Sequence, residues 1–100
     1  MAKIQFSNKA VDDLSDIWNY TLEEWSEQQA DQYYQMLIAS CNKIAENPAL
    51  FGREYDEIAD GLLGFKANKH IIFYKITGNG DIFIVRILHE RMDLKIRMNE

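Results

Sequence analysis

The segment from Arg86 to Asp93, Arg-Ile-Leu-His-Glu-Arg-Met-Asp, gathers the side chains best suited to chemistry in this 100-residue chain. Two guanidiniums, Arg86 and Arg91, could stabilise a phosphate, and His89 between them could pass a proton near neutral pH. That is the outline of a nuclease-like site. The same residues have a structural use: Arg86 would pair with a helix carboxylate, while His89 and Asp93 cap a strand end. Strand alternation sets Arg86 on one face with Ile82, Ile84 and Leu88, and His89 on the other with Val85 and Ile87. His70 and His89 stand alone, without clustered ligands, so no metal site is expected. Gly78-Asn79-Gly80 leads into a strand, whereas phosphate-binding glycine loops open a helix, and no cofactor is expected. No serine sits in a nucleophile-elbow pattern. Cys41 falls on the apolar stripe of an expected helix, which points to packing rather than to a nucleophile.

Two apolar runs position the Arg86 segment. Ile71 to Thr77 and Ile82 to Leu88 are rich in Ile, Val, Phe and Tyr and read as strands. Gly78-Asn79-Gly80-Asp81 supplies the positive φ that a tight hairpin needs. Both runs lack the alternation of a half-wet sheet, so one face should lie under helices and the other be partly covered or await a partner. Lys75, Arg86 and His89 are the exceptions.

Upstream, Lys3 to Phe6 reads as a short strand and Ser7 as a helix N-cap. Val11, Leu14, Trp18, Thr21 or Leu22, and Trp25 recur at helical spacing, widened by Ala10 and Ile17. Asp12, Asp13 and Asp16 suit the early turns of that helix, with their carboxylates in water. Ser26 and Gln29 form a capping-box pattern. Ala30, Tyr33 or Tyr34, Leu37, Cys41, Ile44 and Ala45 then make a second stripe, which Asn47-Pro48 stops. Two helices of about 17 and about 20 residues with almost no loop should fold back as an antiparallel hairpin. Phe51-Gly52-Arg53 and Asp60-Gly61 read as turns, Leu62 to Ala67 as a strand weakened by Gly64, and Glu90 to Glu100 as a charged tail. The expected architecture is α+β: a short N-terminal strand, then an antiparallel helical hairpin packed on one face of a small, mainly antiparallel β-sheet.

One domain over residues 1–100 fits this length. No apolar run approaches the roughly 20 residues that span a bilayer, so no membrane partner is expected. A lone cysteine and an N-terminus without a long apolar segment agree with a cytoplasmic location. Net charge is −5, against a general nucleic-acid binder. The charge is uneven: residues 1–50 hold three basic and eight acidic side chains, and residues 62–97 hold seven basic and three acidic. Such polarity bears on the choice of partner.

Taken in order, several segments together resemble the ParE branch of the RelE/ParE toxin superfamily. They are Ala10-Val11-Asp12-Asp13-Leu14, Ile17-Trp18-Asn19-Tyr20, Gln29-Ala30 with Tyr33, Asn47-Pro48, Gly52-Arg53, Gly61-Leu62 with Phe65, His70-Ile71-Ile72-Phe73-Tyr74 and Ile84 to Asp93. The resemblance implies the toxin half of a type II toxin–antitoxin pair. Such a toxin inhibits DNA gyrase without turnover of its own. It is neutralised by a ParD-like antitoxin in a hetero-oligomer, and meets DNA only indirectly, through that antitoxin. The RelE branch instead cleaves messenger RNA on the ribosome, using a Lys/Arg cluster with a tyrosine or histidine. The tail after Met92 has no tyrosine, though Arg86, His89 and Arg91 keep the ribonuclease alternative open. An inactive relic serving as an antitoxin-binding module is the third alternative.

Within the ParE reading, Lys66, Lys69, Arg86, His89, Arg91, Met92, Asp93 and Lys95 are the candidate contacts with gyrase or antitoxin. Trp25, Leu50, Phe51 and Met92 are candidate apolar antitoxin anchors. The chain departs from the family where many members carry Arg-Ser, Pro and Gly-Arg. Those places hold Leu63-Gly64, Lys66 and Asn68-Lys69.

Overall fold

The first strand, β1 (Ile4–Phe6), hands the chain to a helix at Ser7. In the computed structural model, which describes residues 2–99, the Ser7 hydroxyl accepts from the Ala10 amide at 2.9 Å and donates to the Val85 carbonyl at 2.6 Å. One side chain thus caps α1 (Asn8–Glu24) and ties it to the sheet. Ser26 accepts from the Gln29 amide at 3.1 Å and opens α2 (Glu27–Glu46). Pro48 does more than stop α2: it occupies the first turn of a four-residue helix, α3 (Pro48–Phe51), where its missing N–H costs nothing. There follow β2 (Arg53–Glu54), β3 (Leu63–Ala67), β4 (His70–Ile76), β5 (Ile82–His89) and α4 (Leu94–Met98). β2 and α4 depart from the expected turn and tail. Each is too short for a periodic signal, and α4 owes its start to Asp93, whose Oδ1 accepts from the Ile96 amide at 3.2 Å. Met1 and Glu100, the ends of the expected 1–100 span, lie outside the described residues.

The five strands lie in the order β1-β5-β4-β3-β2. β1 runs parallel to β5, and the other neighbours pair antiparallel. Gly80, at φ 84°, turns the hairpin, closed by the Thr77 amide on the Asp81 carbonyl at 2.8 Å. A bulge then interrupts it. Tyr74 faces Ile84, but Phe73 faces Arg86, leaving Val85 as the extra residue.

That bulge overturns the expected strand alternation. Ile82, Ile84 and Ile87 join the core beneath the helices, with Leu37, Cys41, Ile44, Ile72 and Tyr74. Val85 and Leu88 join a second cluster on the opposite face, with Tyr55, Leu62, Ile71 and Phe73. Arg86, opposite Phe73, therefore does not share a face with Ile82 and Ile84, nor does His89 share one with Val85. The second face is not open: the Tyr55–Ala59 segment and Leu94 and Met98 of α4 cover it.

Helix α1 is also rotated from its expected stripe. Ala10 and Leu14 are buried, whereas Val11 and Trp25 are 50% and 70% exposed. The polar anchors at Ser7 and Asp13 fix which face meets β5, and they outweigh the apolar period.

Gly64 has a packing role in place of the expected weakness. A Cβ there would lie 2.5 Å from Cε2 of Tyr55. That ring cannot easily yield, since it stands edge-on to Phe73 (centroids 5.1 Å apart) and under the Arg53 guanidinium at 4.4 Å. Gly64→Ala is expected to lower stability by about 1–3 kcal/mol through overpacking. Urea denaturation reads this directly, and an unchanged midpoint would refute the contact.

Candidate functional site

Arg86 is the most constrained of the candidate residues. It is 9% exposed. Its Nε and Nη2 donate to the two carboxylate oxygens of Asp13 at 2.8 and 3.0 Å, and its Nη1 donates to the Arg97 carbonyl at 2.7 Å. The sheet explains the position. β1 covers β5 only as far as Ile84, and beyond that the edge of β5 needs other partners. Ser7 takes the Val85 carbonyl, and Asp13 Oδ2 accepts the Ile87 amide at 2.9 Å. Asp13 was expected in water among the α1 carboxylates. It serves instead as a surrogate strand and as the counter-ion of a buried arginine.

A second group forms where β4 begins and β5 ends. The shifted register sets His70 directly opposite His89, with ring centroids 5.2 Å apart. The two histidines expected to stand alone are neighbours. The Tyr33 hydroxyl on α2 lies 2.6 Å from His70 Nδ1. His89 Nδ1 accepts from the Arg91 amide at 3.1 Å, so it caps the turn after β5. Lys66 Nζ meets Glu90 at 3.0 Å. The Lys66 hydrogen bond holds the Glu90 carboxyl below its usual range, and burial raises the Tyr33 phenol. Burial, reinforced by His89, lowers His70 from 6.5 to about 4.

His70 should therefore give the fold an acid sensitivity. The unfolded chain takes up this proton near pH 6.5 and the folded chain only near pH 4. Stability from this group is intact above the upper value and falls as pH drops between the two. The full shift would be worth about 3 kcal/mol, and partial exposure of the ring reduces the expected loss to about 1–2 kcal/mol. Urea unfolding of the wild type and His70→Gln across this range tests it. A variant with an unaltered pH slope would contradict the assignment.

The remaining candidates fall into three places. Lys66, Lys69, His89 and Arg91 cluster at the β3–β4 turn and the end of β5, where the Lys69 carbonyl accepts the Glu90 amide at 2.9 Å. Met92 and Asp93 follow in the segment leading into α4, and Lys95 lies on that helix. Met92 is 40% exposed, and Asp93 caps α4. Trp25, at the end of α1, lines a groove with Tyr33 and Asn68, while Leu50 and Phe51 sit apart on α3. Phe51 packs edge-on to Phe65 with centroids 6.3 Å apart. Cys41 is buried and its thiol is pushed up to about 12. The sequence pattern does not mark Asp13, Tyr33, His70 and Glu90 as site residues. The pairing of the histidines was hidden because the Gly-Asn-Gly turn alone would set His70 against Leu88.

Three departures from the family pattern have local causes. Gly64 admits the Tyr55 ring, Lys66 pairs with Glu90, and Asn68 takes the left-handed conformation at φ 58° in the β3–β4 turn.

Residues 4–94 match the family model described as ParE toxin of type II toxin-antitoxin system, parDE. Toxin ParE1 of Mycobacterium tuberculosis H37Rv is 42% identical over 81 residues, covering 81% of this chain and 82% of the relative. Toxin ParE1 of Caulobacter vibrioides is 30% identical over 98 residues, covering 98% and 99%. Toxin ParE of Escherichia coli is 30% identical over 90 residues, covering 90% and 86%. Among solved structures, one from the chromosomal ParDE system of P. aeruginosa superposes with a TM-score of 0.74 at 19% identity, over 89% of this chain and 96% of that one. The RelBE2 toxin–antitoxin complex of Mycobacterium tuberculosis gives 0.61 at 13%, over 89% and 98%. The two structures share the fold. The family model and the sequence relatives carry the assignment: the chain belongs to the ParE toxin family of type II toxin–antitoxin systems.

Proposed function

We propose that this toxin acts in the cytoplasm by inhibiting DNA gyrase, and that a ParD-like antitoxin neutralises it. The observation that carries this reading is the family match over residues 4–94. Two further features support it. The P. aeruginosa neighbour comes from a ParDE system and the second neighbour is a toxin–antitoxin complex, so an antitoxin partner fits this fold. The exposed basic side chains Lys69, Arg91 and Lys95 sit around the end of β5 and on α4, where an acidic partner surface could be met without bond cleavage. Lys66 adds to this region while paired with Glu90. His89, Met92 and Asp93 shape its backbone and rim. Trp25, Leu50 and Phe51 are apolar anchor points for the antitoxin on the helical side.

The ribonuclease alternative needs Arg86, His89 and Arg91 to converge on one phosphate. Arg86 is engaged by Asp13 and shares its face with Phe73, whereas His89 lies opposite His70 on the helical side. This division favours recognition over cleavage, with no turnover by the toxin. Expression without antitoxin should give filamentous cells with a DNA-damage response, and a co-expressed ParD-like antitoxin should restore growth. Unimpaired growth of cells making the folded protein would replace this proposal with an inactive antitoxin-binding relic.

A further inference from the structure

Helix α4 has five residues, far fewer than an isolated helix needs to persist in water. Its order must come from what it rests on. Two side chains, Leu94 and Met98, pack on the second cluster, and Asp93 caps its start. A polar tie comes from beneath: Arg86 Nη1 donates to the carbonyl of Arg97, in the last turn of α4. Arg86 can hold that direction because Asp13, on α1, grips Nε and Nη2 from the other side. The guanidinium is thus a three-way junction between α1, β5 and α4. Its planar fork sets the angle between the donors that face Asp13 and the donor that faces α4.

We infer that Arg86, fixed by Asp13, is a positioning residue that seats α4 and so orients the surface formed by Arg91, Lys95 and Ile96. Lys95 and Ile96 are exposed on α4, Ile96 to 64%. An exposed apolar side chain flanked by cations makes a contact surface only if the helix beneath it is held still. The inference rests on the gyrase-docking proposal for the use of that surface, but the seating of α4 is independent of it. One consequence is a coupling: any event on α1 that withdraws Asp13 also loosens α4, since Asp13 fixes the guanidinium whose Nη1 holds the Arg97 carbonyl.

Arg86→Lys tests this with the full-length toxin, because lysine keeps the charge beside Asp13 but loses the fork. Amide hydrogen exchange is read at Ile96, Arg97 and Asn99 of the C-terminal segment and, as reference, at Ile72 in the sheet. The expected result is exchange about tenfold faster in α4, corresponding to ~1.4 kcal/mol, with Ile72 still protected. The concentration needed for half-inhibition of gyrase supercoiling should rise by a similar factor. Asp13→Asn, nearly isosteric, is the second variant and should loosen α4 in the same sense.

Unchanged α4 exchange in both variants overturns the inference. So does parallel acceleration of α4 and Ile72, which would mean that Arg86 only supports the fold. Faster α4 exchange with unaltered inhibition also overturns the positioning role. If the wild-type toxin fails to inhibit gyrase, the docking proposal falls, while the exchange data still decide how α4 is held.

Discussion

Asp13→Ala is expected to destabilise the fold by about 3–5 kcal/mol, the range for stripping one partner from a buried ion pair. Both side chains are 11% exposed, and Arg86 sits where water cannot easily replace the carboxylate. The loss is compounded because the Ile87 amide loses its acceptor at the same time. Removing both charges, as in Asp13→Leu with Arg86→Met, should recover part of the loss, since no uncompensated charge is then left inside. Urea denaturation at neutral pH measures both variants. A deficit under about 1 kcal/mol for Asp13→Ala would place the pair among ordinary surface ion pairs, against the burial described here.

Phe73→Ala should cost a similar amount, about 3–5 kcal/mol. Phe73 is fully buried, on the face of the sheet away from the helical hairpin. Its ring supports Tyr55 edge-on, and the same cluster carries Ile58, Ala59 and the inner side of α4. The large penalty is expected only if that face is a second core. Were it an open surface awaiting a partner, one of the two readings the apolar strands allow, truncation would cost much less in the isolated toxin. Urea unfolding of the variant distinguishes the two, and a loss of less than about 1 kcal/mol would contradict a second core.

The elements with strong local signals were legible in the sequence. Ser7 and Ser26 mark the starts of the two long helices because a hydroxyl before an apolar period has one obvious use. The β4–β5 hairpin follows from the apolar runs and the glycine turn between them. The helical hairpin on a mainly antiparallel sheet then follows from the need to bury both helix stripes.

What stayed hidden depends on contacts distant in sequence. The bulge at Val85 leaves no local mark, yet it changes the faces of Arg86 and His89 and brings His70 and His89 together. Asp13 reads like its neighbours Asp12 and Asp16 until β1 is seen to end at Phe6, which leaves the β5 edge to be satisfied. Short elements were hidden for another reason. α4 and β2 have too few residues for periodicity to show, and tertiary contacts alone hold them. For the candidate contacts, the sequence offers residue types but not their burial: Arg86 is buried, whereas Arg91 and Lys95 are exposed, and no local pattern separates them.

In the proposed function, the end of β5 and α4 form a surface that grips a protein target and does not break bonds. Supercoiling of relaxed plasmid by purified gyrase, titrated with the purified toxin, tests this most directly. Dose-dependent loss of supercoiling or trapping of cleaved DNA, both relieved by a ParD-like antitoxin, is the predicted result. Normal supercoiling, together with transcript cleavage when the same preparation is added to translating ribosomes, would contradict it.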